Sequence, residues 1–379
     1  MIKFDVHVCF VSEQPLPNFI PIIDAEFRPN KKVLLLVSKQ MQTRANTLQT
    51  VIRQRCPGLE VEQVAIHDEY DIERIGSQVS ELLLNEIEHG SVALNLTGGN
   101  KPMAIAAFNA FRDLEQPSFY FTVSSNEVLV LEKDKQTSRL TLQPKMKVDD
   151  YLTLYGYPVR EGQISRKPQY QLPDLWEKLV QARVSAGEEI GRLNFAINQA
   201  EPAVLSVPLP TSPNPQNLDF VVGLFEQHGL LTLKDQKLVF ADAAAKKYVG
   251  GGWFEDYVFQ TAKDIEGVQD VALNVQIENA KDNIYQHNEL DVVLLLDNVL
   301  CVIECKTANF AKQHPKATEA LNKLETLKKL GGLRTHAVLV SYRELEQNAR
   351  NRAKGADIGI IEQKDLAGMK KLLVNWIKK

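Results

Sequence analysis

The stretch of this 379-residue chain richest in chemistry is Asn288-Glu289-Leu290-Asp291-Val292-Val293-Leu294-Leu295-Leu296-Asp297-Asn298-Val299-Leu300-Cys301-Val302-Ile303-Glu304-Cys305-Lys306-Thr307. Asp297-Asn298 is a turn signal between two apolar runs, so the segment reads as a β-hairpin. Side chains alternate along a strand, which puts Glu304 and Lys306 on one face and Cys301, Ile303 and Cys305 on the other. Burying a carboxylate and an ammonium is costly unless they are paired or ligated, so two charges at the end of an apolar strand need a reason. A metal supplies one: Asp291 across the hairpin and Glu304 offer hard oxygen ligands to Mg²⁺ or Mn²⁺, and Lys306 steers or activates a bound water. Such a centre polarises a phosphoryl oxygen and acidifies water, which is the chemistry of phosphodiester hydrolysis. A solvated Glu304–Lys306 salt bridge on an edge strand is the alternative.

Upstream, Gly252-Trp253-Phe254-Glu255-Asp256 opens a helix, and Glu255 is the candidate for a further carboxylate at the metal, with Asp256 left on the surface. A glutamate in a first helical turn is also favoured simply by the helix dipole. Residues 251–305 hold 2 basic and 11 acidic side chains, whereas 306–379 hold 16 basic and 7 acidic, so one half suits metal and the other phosphate. Lys323, Lys328, Lys329, Arg334, Arg343, Arg350, Arg352 and Lys354 are candidate contacts to a nucleic-acid backbone, or a solvated helix face.

A second constellation, Thr97-Gly98-Gly99-Asn100-Lys101-Pro102, follows the strand-like run Val92–Leu96 and leads into a helix from Met103. Paired glycines let backbone N–H groups approach a phosphate, the helix start favours an anion, and Lys101 adds a point charge. Neither a dinucleotide fingerprint nor a Walker A motif is present, and a plain strand-to-helix turn is the bland reading. Ser12 and Ser38, at the ends of the first two strands, line the same crevice if those strands are adjacent, or serve as loop and cap residues.

The elements that must position these groups follow from the pattern. In residues 1–145, strand-like runs (4–10, 33–37, 61–66, 92–96, 119–123) alternate with helical ones (40–55, 72–88, 101–114), implying a doubly wound α/β Rossmann-like sheet, to which 128–131 and 139–142 add a hairpin. Residues 146–216 read as a connection: one helical pattern over 173–200, then five prolines between 201 and 216 that exclude a regular helix. Helix, two short strands and helix over 217–250 suggest a small winged-helix-like module, and 251–379 a third, α/β domain that opens with a helix (253–264) and a strand (271–278) before the hairpin. The net charge of −4 and 44% hydrophobic content are those of a globular chain. No apolar run spans a bilayer and Met1–Asp5 lacks a signal-peptide layout, so no membrane partner and a cytoplasmic location are expected. Four cysteines without metal-site spacing read as buried apolar residues.

The spacing of Asp291, Glu304 and Lys306 resembles the PD-(D/E)xK signature of restriction-endonuclease-like nucleases, with Glu289-Leu290-Asp291 in place of the Pro-Asp. Together with the Leu96-to-Lys101 loop on a Rossmann-like domain and the winged-helix-like middle, the whole chain is similar, in domain order, to the CRISPR-associated Rossmann-fold (CARF) ancillary nucleases of type III CRISPR defence. That resemblance implies a homodimer that binds a cyclic oligoadenylate, most often cyclic tetra-adenylate, across its two-fold axis and thereby activates a metal-dependent nuclease acting on DNA, RNA or both, mainly single-stranded or by nicking. By motif, Thr97, Gly98, Gly99, Asn100 and Lys101, with Ser12 and Ser38, bind the ring; Asp291, Glu304 and Glu255 hold the metal, and Lys306 assists catalysis. Asn100 departs from the frequent Thr at the fourth loop position. Two rivals stand beside this: a ligand-sensing winged-helix transcription regulator, whose 217–249 segment offers Lys234, Lys237, Lys246 and Lys247 but no arginine, and a constitutive restriction-type endonuclease.

Overall fold

A computed structural model describes residues 3–281, 284–307, 314–328 and 331–379, of which 279–281, 284–287 and 314–316 are described by their backbone. The chain forms two compact units, Met1–Pro158 and Val159–Lys379.

The first unit has the order β1 (Val6–Phe10), α1 (Leu16–Ile23), β2 (Lys32–Ser38), α2 (Gln42–Arg55), β3 (Glu60–Ile66), α3 (Ile72–Ile87), β4 (Val92–Asn95), α4 (Lys101–Asp113), β5 (Ser118–Thr122), β6 (Glu127–Leu131), β7 (Ser138–Thr141) and α5 (Val148–Leu154). Its sheet runs β3-β2-β1-β4-β5-β6-β7, parallel as far as β5 and antiparallel in the β5–β6–β7 meander. The order reverses direction between β1 and β4, so the crevice at their carboxyl ends is the switch point where open α/β sheets bind ligands. Alternation along β1 sends Val6, Val8 and Phe10 into one core with α3 and α4, and His7 towards Phe27 and Phe119 on the other face.

Helix α1 is absent from the sequence reading, because Pro15, Pro17 and Pro21 crowd it. Pro15 and Pro17 fall at its start, where no intrahelical N–H is needed. Pro21 cannot donate to the Pro17 carbonyl, but the Asn95 amide does so at 2.9 Å, so tertiary structure fills the vacancy a proline leaves.

The second unit has α6 (Pro173–Gln181), α7 (Gly187–Gln199), β8 (Ser206–Pro208), α8 (Pro215–Gln227), β9 (Leu231–Lys234), β10 (Lys237–Phe240), α9 (Ala243–Lys247), α10 (Trp253–Lys263), β11 (Val268–Lys281), β12 (Ile284–Leu296), β13 (Val299–Lys306), α11 (His314–Lys328), β14 (Thr335–Ser341), α12 (Gln347–Gly355), β15 (Gly359–Glu362) and α13 (Met369–Ile377). The helical pattern over 173–200 is therefore two helices. In the break, Arg183 donates to the Gln363 carbonyl (2.6 Å) while Gln363 donates back to the Arg183 carbonyl (2.7 Å), tertiary bonds that replace the helical ladder. The proline-rich run is not only a linker: β8 within it pairs with β10, and Pro208 sits on an edge strand, where its missing N–H costs nothing. Gly250-Gly251-Gly252 lies in a π-turn, Tyr248–Gly252, kinked at Gly251 (φ 141°), that carries α9 into α10.

The main sheet of this unit runs β11-β12-β13-β14-β15, antiparallel through β13 and parallel beyond it. One hydrophobic cluster joins α6, α7 and the small β8-β10-β9 sheet to this larger sheet, from Leu175 to Ile377. Ser165 exchanges two backbone hydrogen bonds with Leu273 (3.0 and 2.8 Å), and Arg166 pairs with Asp270 (2.9 Å), so the segment before α6 covers part of edge strand β11.

Candidate active site and nucleotide crevice

Strand β13 is central, not an edge, and Glu304 is only 2% exposed. The antiparallel register pairs Val292 with Ile303, which sets Asp291 opposite Glu304. Like charges so placed repel, and the structure compensates them with two lysines. The Lys306 ammonium lies 2.7 Å from Glu304 Oε1 and 3.6 Å from Asp291 Oδ2. Lys323, from α11, lies 2.6 Å from Glu304 Oε2 and 4.0 Å from Asp291 Oδ1. Asp291 Oδ2 also accepts the Cys305 backbone N–H at 2.7 Å. The Glu304–Lys306 pair is thus real, but it is part of a four-charge cluster with buried carboxylates and half-buried lysines, not a solvated bridge.

Packing fixes the contributors. Trp253 and Phe254 are fully buried and meet the Tyr342 ring edge-on, at centroid distances of 5.4 and 5.6 Å. Tyr342 follows Ser341, the β14 partner of Lys306, so α10 is anchored beside the charged end of β13 and carries half-buried Glu255 with it. On α11, Leu321, Leu324 and Leu327 are buried, and Lys323 leaves the edge of that face to reach Glu304. Burial, reinforced by the Asp291 charge, pushes the Glu255 carboxyl up to about 8, against the opposing pull of Lys247 and Lys306. Burial and Glu304 likewise raise Asp291 above the ordinary carboxylate range. For Lys306, burial acts to lower the ammonium's pKa, but Asp291 and Glu304 outweigh it and hold it above its usual value.

Asp291 and Glu304 are buried, hard-oxygen donors that converge on the same two cations, a donor set that suits Mg²⁺ or Mn²⁺ with water completing the shell. Among the described residues no group of three or more His, Cys, Asp or Glu side chains is arranged to hold a metal, so Glu255 does not close a cage with the pair. Asp256, expected on the surface, is 1% exposed: its carboxylate accepts the Gln169 and Tyr170 backbone N–H groups at 2.9 and 3.0 Å. All four cysteines are free and buried, as their spacing implied.

In the first unit, the parallel registers Phe10↔Leu36 and Cys9↔Asn95 carry Ser12, Ser38 and Thr97 to the carboxyl ends of three adjacent strands, with Gly98 to Lys101 leading on into α4. A Cβ on Gly98 would lie 2.2 Å from the Phe10 carbonyl oxygen, and Gly99 has φ +78°, so the two glycines answer a close strand approach and a left-handed turn. Asn100 caps α4: its Oδ1 accepts the Met103 N–H at 2.9 Å, and its Nδ2 donates to the Glu69 carbonyl at 2.9 Å. Thr97 Oγ1 accepts the Phe121 N–H at 2.8 Å, and Ser12 Oγ donates to the Gln14 carbonyl at 3.2 Å. Ser38 is buried and makes no side-chain cap to the turn after it. Lys101 is exposed at the mouth. The sequence did not single out the floor of this crevice, where buried Asn18 donates to the Phe10 carbonyl (2.8 Å) and Asn95 donates to Asn18 Oδ1 (3.1 Å). Polar residues flanking a β-strand and a proline cluster are the one signal that could have found it.

Several expected phosphate contacts are otherwise engaged. Arg350 binds Glu362 (2.9 Å), Lys328 binds Asp357 (2.7 Å), Arg343 pairs with Glu188, and Arg352 bonds Asn322. Lys329 lies outside the described residues. In the winged-helix-like segment, Lys246 is buried and donates to the Glu201 carbonyl at 2.6 Å, so it is not available to DNA.

Comparison with known proteins bears on both sites. Residues 6–151 match the family model of the Card1 CARF domain, and residues 242–379 that of the Card1-like endonuclease domain. The chain resembles protein VC1899 from Vibrio cholerae (24% identity, TM-score 0.83, 98% of each chain covered). It also resembles Can2 from Sulfobacillus thermosulfidooxidans, a structure in complex with cyclic tetra-adenylate (26% identity, TM-score 0.74, 99% of this chain and 98% of that one). A type III CRISPR defence DNA nuclease activated by cyclic oligoadenylate shares the fold (16% identity, TM-score 0.54, 90% of this chain and 46% of that one). No curated protein matches the sequence. Among the described residues no helix is long and apolar enough to cross a membrane. With a CARF domain of the Card1 kind over residues 6–151 and a Card1-like endonuclease domain over 242–379, the chain belongs among the CARF-domain nucleases.

Proposed function

We propose that this protein is a metal-dependent nuclease, cutting DNA, RNA or both, that a cyclic oligoadenylate switches on in type III CRISPR defence. The observation that carries the chemistry is the buried, opposed pair Asp291 and Glu304 with Lys306 between them. A bound Mg²⁺ or Mn²⁺ would supply phosphoryl polarisation and an acidified water. Asp291 and Glu304 would hold it, and Glu255, whose carboxyl feels the Asp291 charge, is the further carboxylate of the site. Lys306, kept charged by its two carboxylate neighbours, orients the attacking water and meets the phosphate charge that grows in the transition state.

The activator reading rests on the crevice at the β1/β4 switch point and on Can2, whose structure contains cyclic tetra-adenylate. Backbone N–H groups of Gly98 and Gly99 and the start of α4 suit a phosphate, with Lys101 at the mouth and Thr97, Asn100, Ser12 and Ser38 around it. A symmetric ring is best matched by a homodimer that presents the crevice twice about a two-fold axis. Cyclic tetra-adenylate is the favoured ring.

Calorimetric titration of the ring, paired with a cleavage gel containing Mn²⁺, tests the assignment of two sites. Glu304→Gln is expected to bind the ring like the wild type and to cut nothing. Cleavage by Glu304→Gln at the wild-type rate would refute the site.

A further inference from the structure

We propose that Lys323 is the resident counter-cation of the active site, which a divalent metal must displace from Glu304 in order to bind. The proposal rests on the metal-dependent reading above and adds a residue to it.

Both Glu304 oxygens carry an ammonium: Oε1 that of Lys306 at 2.7 Å, Oε2 that of Lys323 at 2.6 Å. Asp291, opposite, has Oδ2 on the Cys305 N–H, and its Oδ1 lies 4.0 Å from the Lys323 ammonium. Each Glu304 oxygen keeps a second lone pair, but a divalent ion held by these carboxylates would lie close to both ammonium groups, and the repulsion falls on whichever lysine can leave. Lys306 is ill placed to yield, because it shares β13 with Glu304, two residues away on the same face, and its backbone is paired to β14. The two lysines are similarly exposed, 34% for Lys306 and 30% for Lys323, so reach into water is open to both. But Lys306 holds both carboxylates closely, at 2.7 and 3.6 Å, whereas Lys323, from a separate element, is close to Glu304 alone and 4.0 Å from Asp291, so it gives up less by swinging away. Two carboxylates facing each other across a strand pair also need a positive partner while no metal is bound, which explains why a helix lysine points inward here. The cost of this arrangement is competition, since the same charge that stabilises the metal-free site weakens metal affinity.

The sign of the effect separates this role from a structural one. Titration of the full-length protein with Mn²⁺, following free Mn²⁺ by its paramagnetic resonance signal, should show half-saturation in Lys323→Met falling at least about fivefold below wild type, since a unit charge within 4 Å is removed. Lys323→Arg, which keeps the charge, should return towards the wild-type value. Lys328→Met, on the same helix but paired with Asp357, should leave Mn²⁺ uptake unchanged. Weaker or equal Mn²⁺ binding in Lys323→Met would overturn the proposal, because a lysine that merely holds Glu304 in place loosens the metal when removed. Thermal unfolding without metal verifies that the variant is folded, and Lys323→Gln repeats the test if it is not. Failure of wild type to take up Mn²⁺, or uptake undiminished in Glu304→Gln, would instead sink the metal reading and this proposal with it.

Discussion

Glu304 stands where three demands meet: it is buried, faces a second carboxylate, and sits two residues from a lysine on the same strand face. Each neighbour answers the cost of another, so the residues act as a unit and single substitutions should not be additive. Lys306→Ala is expected to slow cleavage by more than about 100-fold, the lower end of what a positioned donor to developing transition-state charge contributes; single-turnover kinetics at saturating ring would measure it. Lys101→Ala should weaken ring binding while leaving the Mn²⁺ titration unchanged, because it sits in the other unit. Asp291, Glu304 and Lys306 were legible in the sequence because strand alternation and a two-residue turn fix which side chains share a face. Lys323 was not. Its partnership with Glu304 depends on how α11 docks on the sheet, which charge counting cannot see.

Among the elements, the close approach of the loop after β4 to β1 decides how the crevice is shaped. Gly98→Ala forces a Cβ against the Phe10 carbonyl, and a contact of 2.2 Å has to be relieved by moving backbone. The expected cost is about 1–3 kcal/mol of stability in the first unit, read by denaturant unfolding, together with loss of ring binding. Asn95→Leu would strand the Pro17 carbonyl and the Asn18 amide oxygen in the interior, a loss of about 1–3 kcal/mol in the same measurement. The alternation of strands and helices in this unit was readable from periodicity, and its boundaries moved by a residue or two. Helix α1 escaped because its three prolines are tolerated only through contacts made elsewhere in the fold. The division of 173–200 into two helices escaped for a related reason: Arg183 and Gln363 are 180 residues apart, and only tertiary structure brings their carbonyls and donors together.

Taken whole, the two units should respond to pH separately. His7 is buried among Phe4, Phe27 and Phe119, and burial holds its imidazole down to about 3 from an ordinary 6.5. The unfolded chain therefore binds a proton that the folded unit refuses between those values, so the His7 contribution to stability rises with pH across that window and is flat above 6.5, with a slope of at most about 1.4 kcal/mol per pH unit, while Asp150, raised to about 6 by burial, acts in the opposite sense between 3.8 and 6. Among the described residues neither His7 ring nitrogen finds a hydrogen-bond partner, so His7→Leu should flatten the acid limb of the first unit's unfolding transition and raise its midpoint at pH 5. The opposed charge of residues 251–305 and 306–379 was visible in composition, but folding spends part of it internally, as Lys378 meets Asp297 at 3.6 Å and Lys323 meets Glu304. What remains is a nuclease unit whose activity should depend on the first unit's ligand. A gel assay of labelled single-stranded DNA and RNA with Mn²⁺, with and without cyclic tetra- and hexa-adenylate, tests this most directly. Cutting that requires both metal and one ring, and vanishes in Glu304→Gln, is the expected result; equal cutting with and without every ring, or cutting that persists in Glu304→Gln, would contradict it.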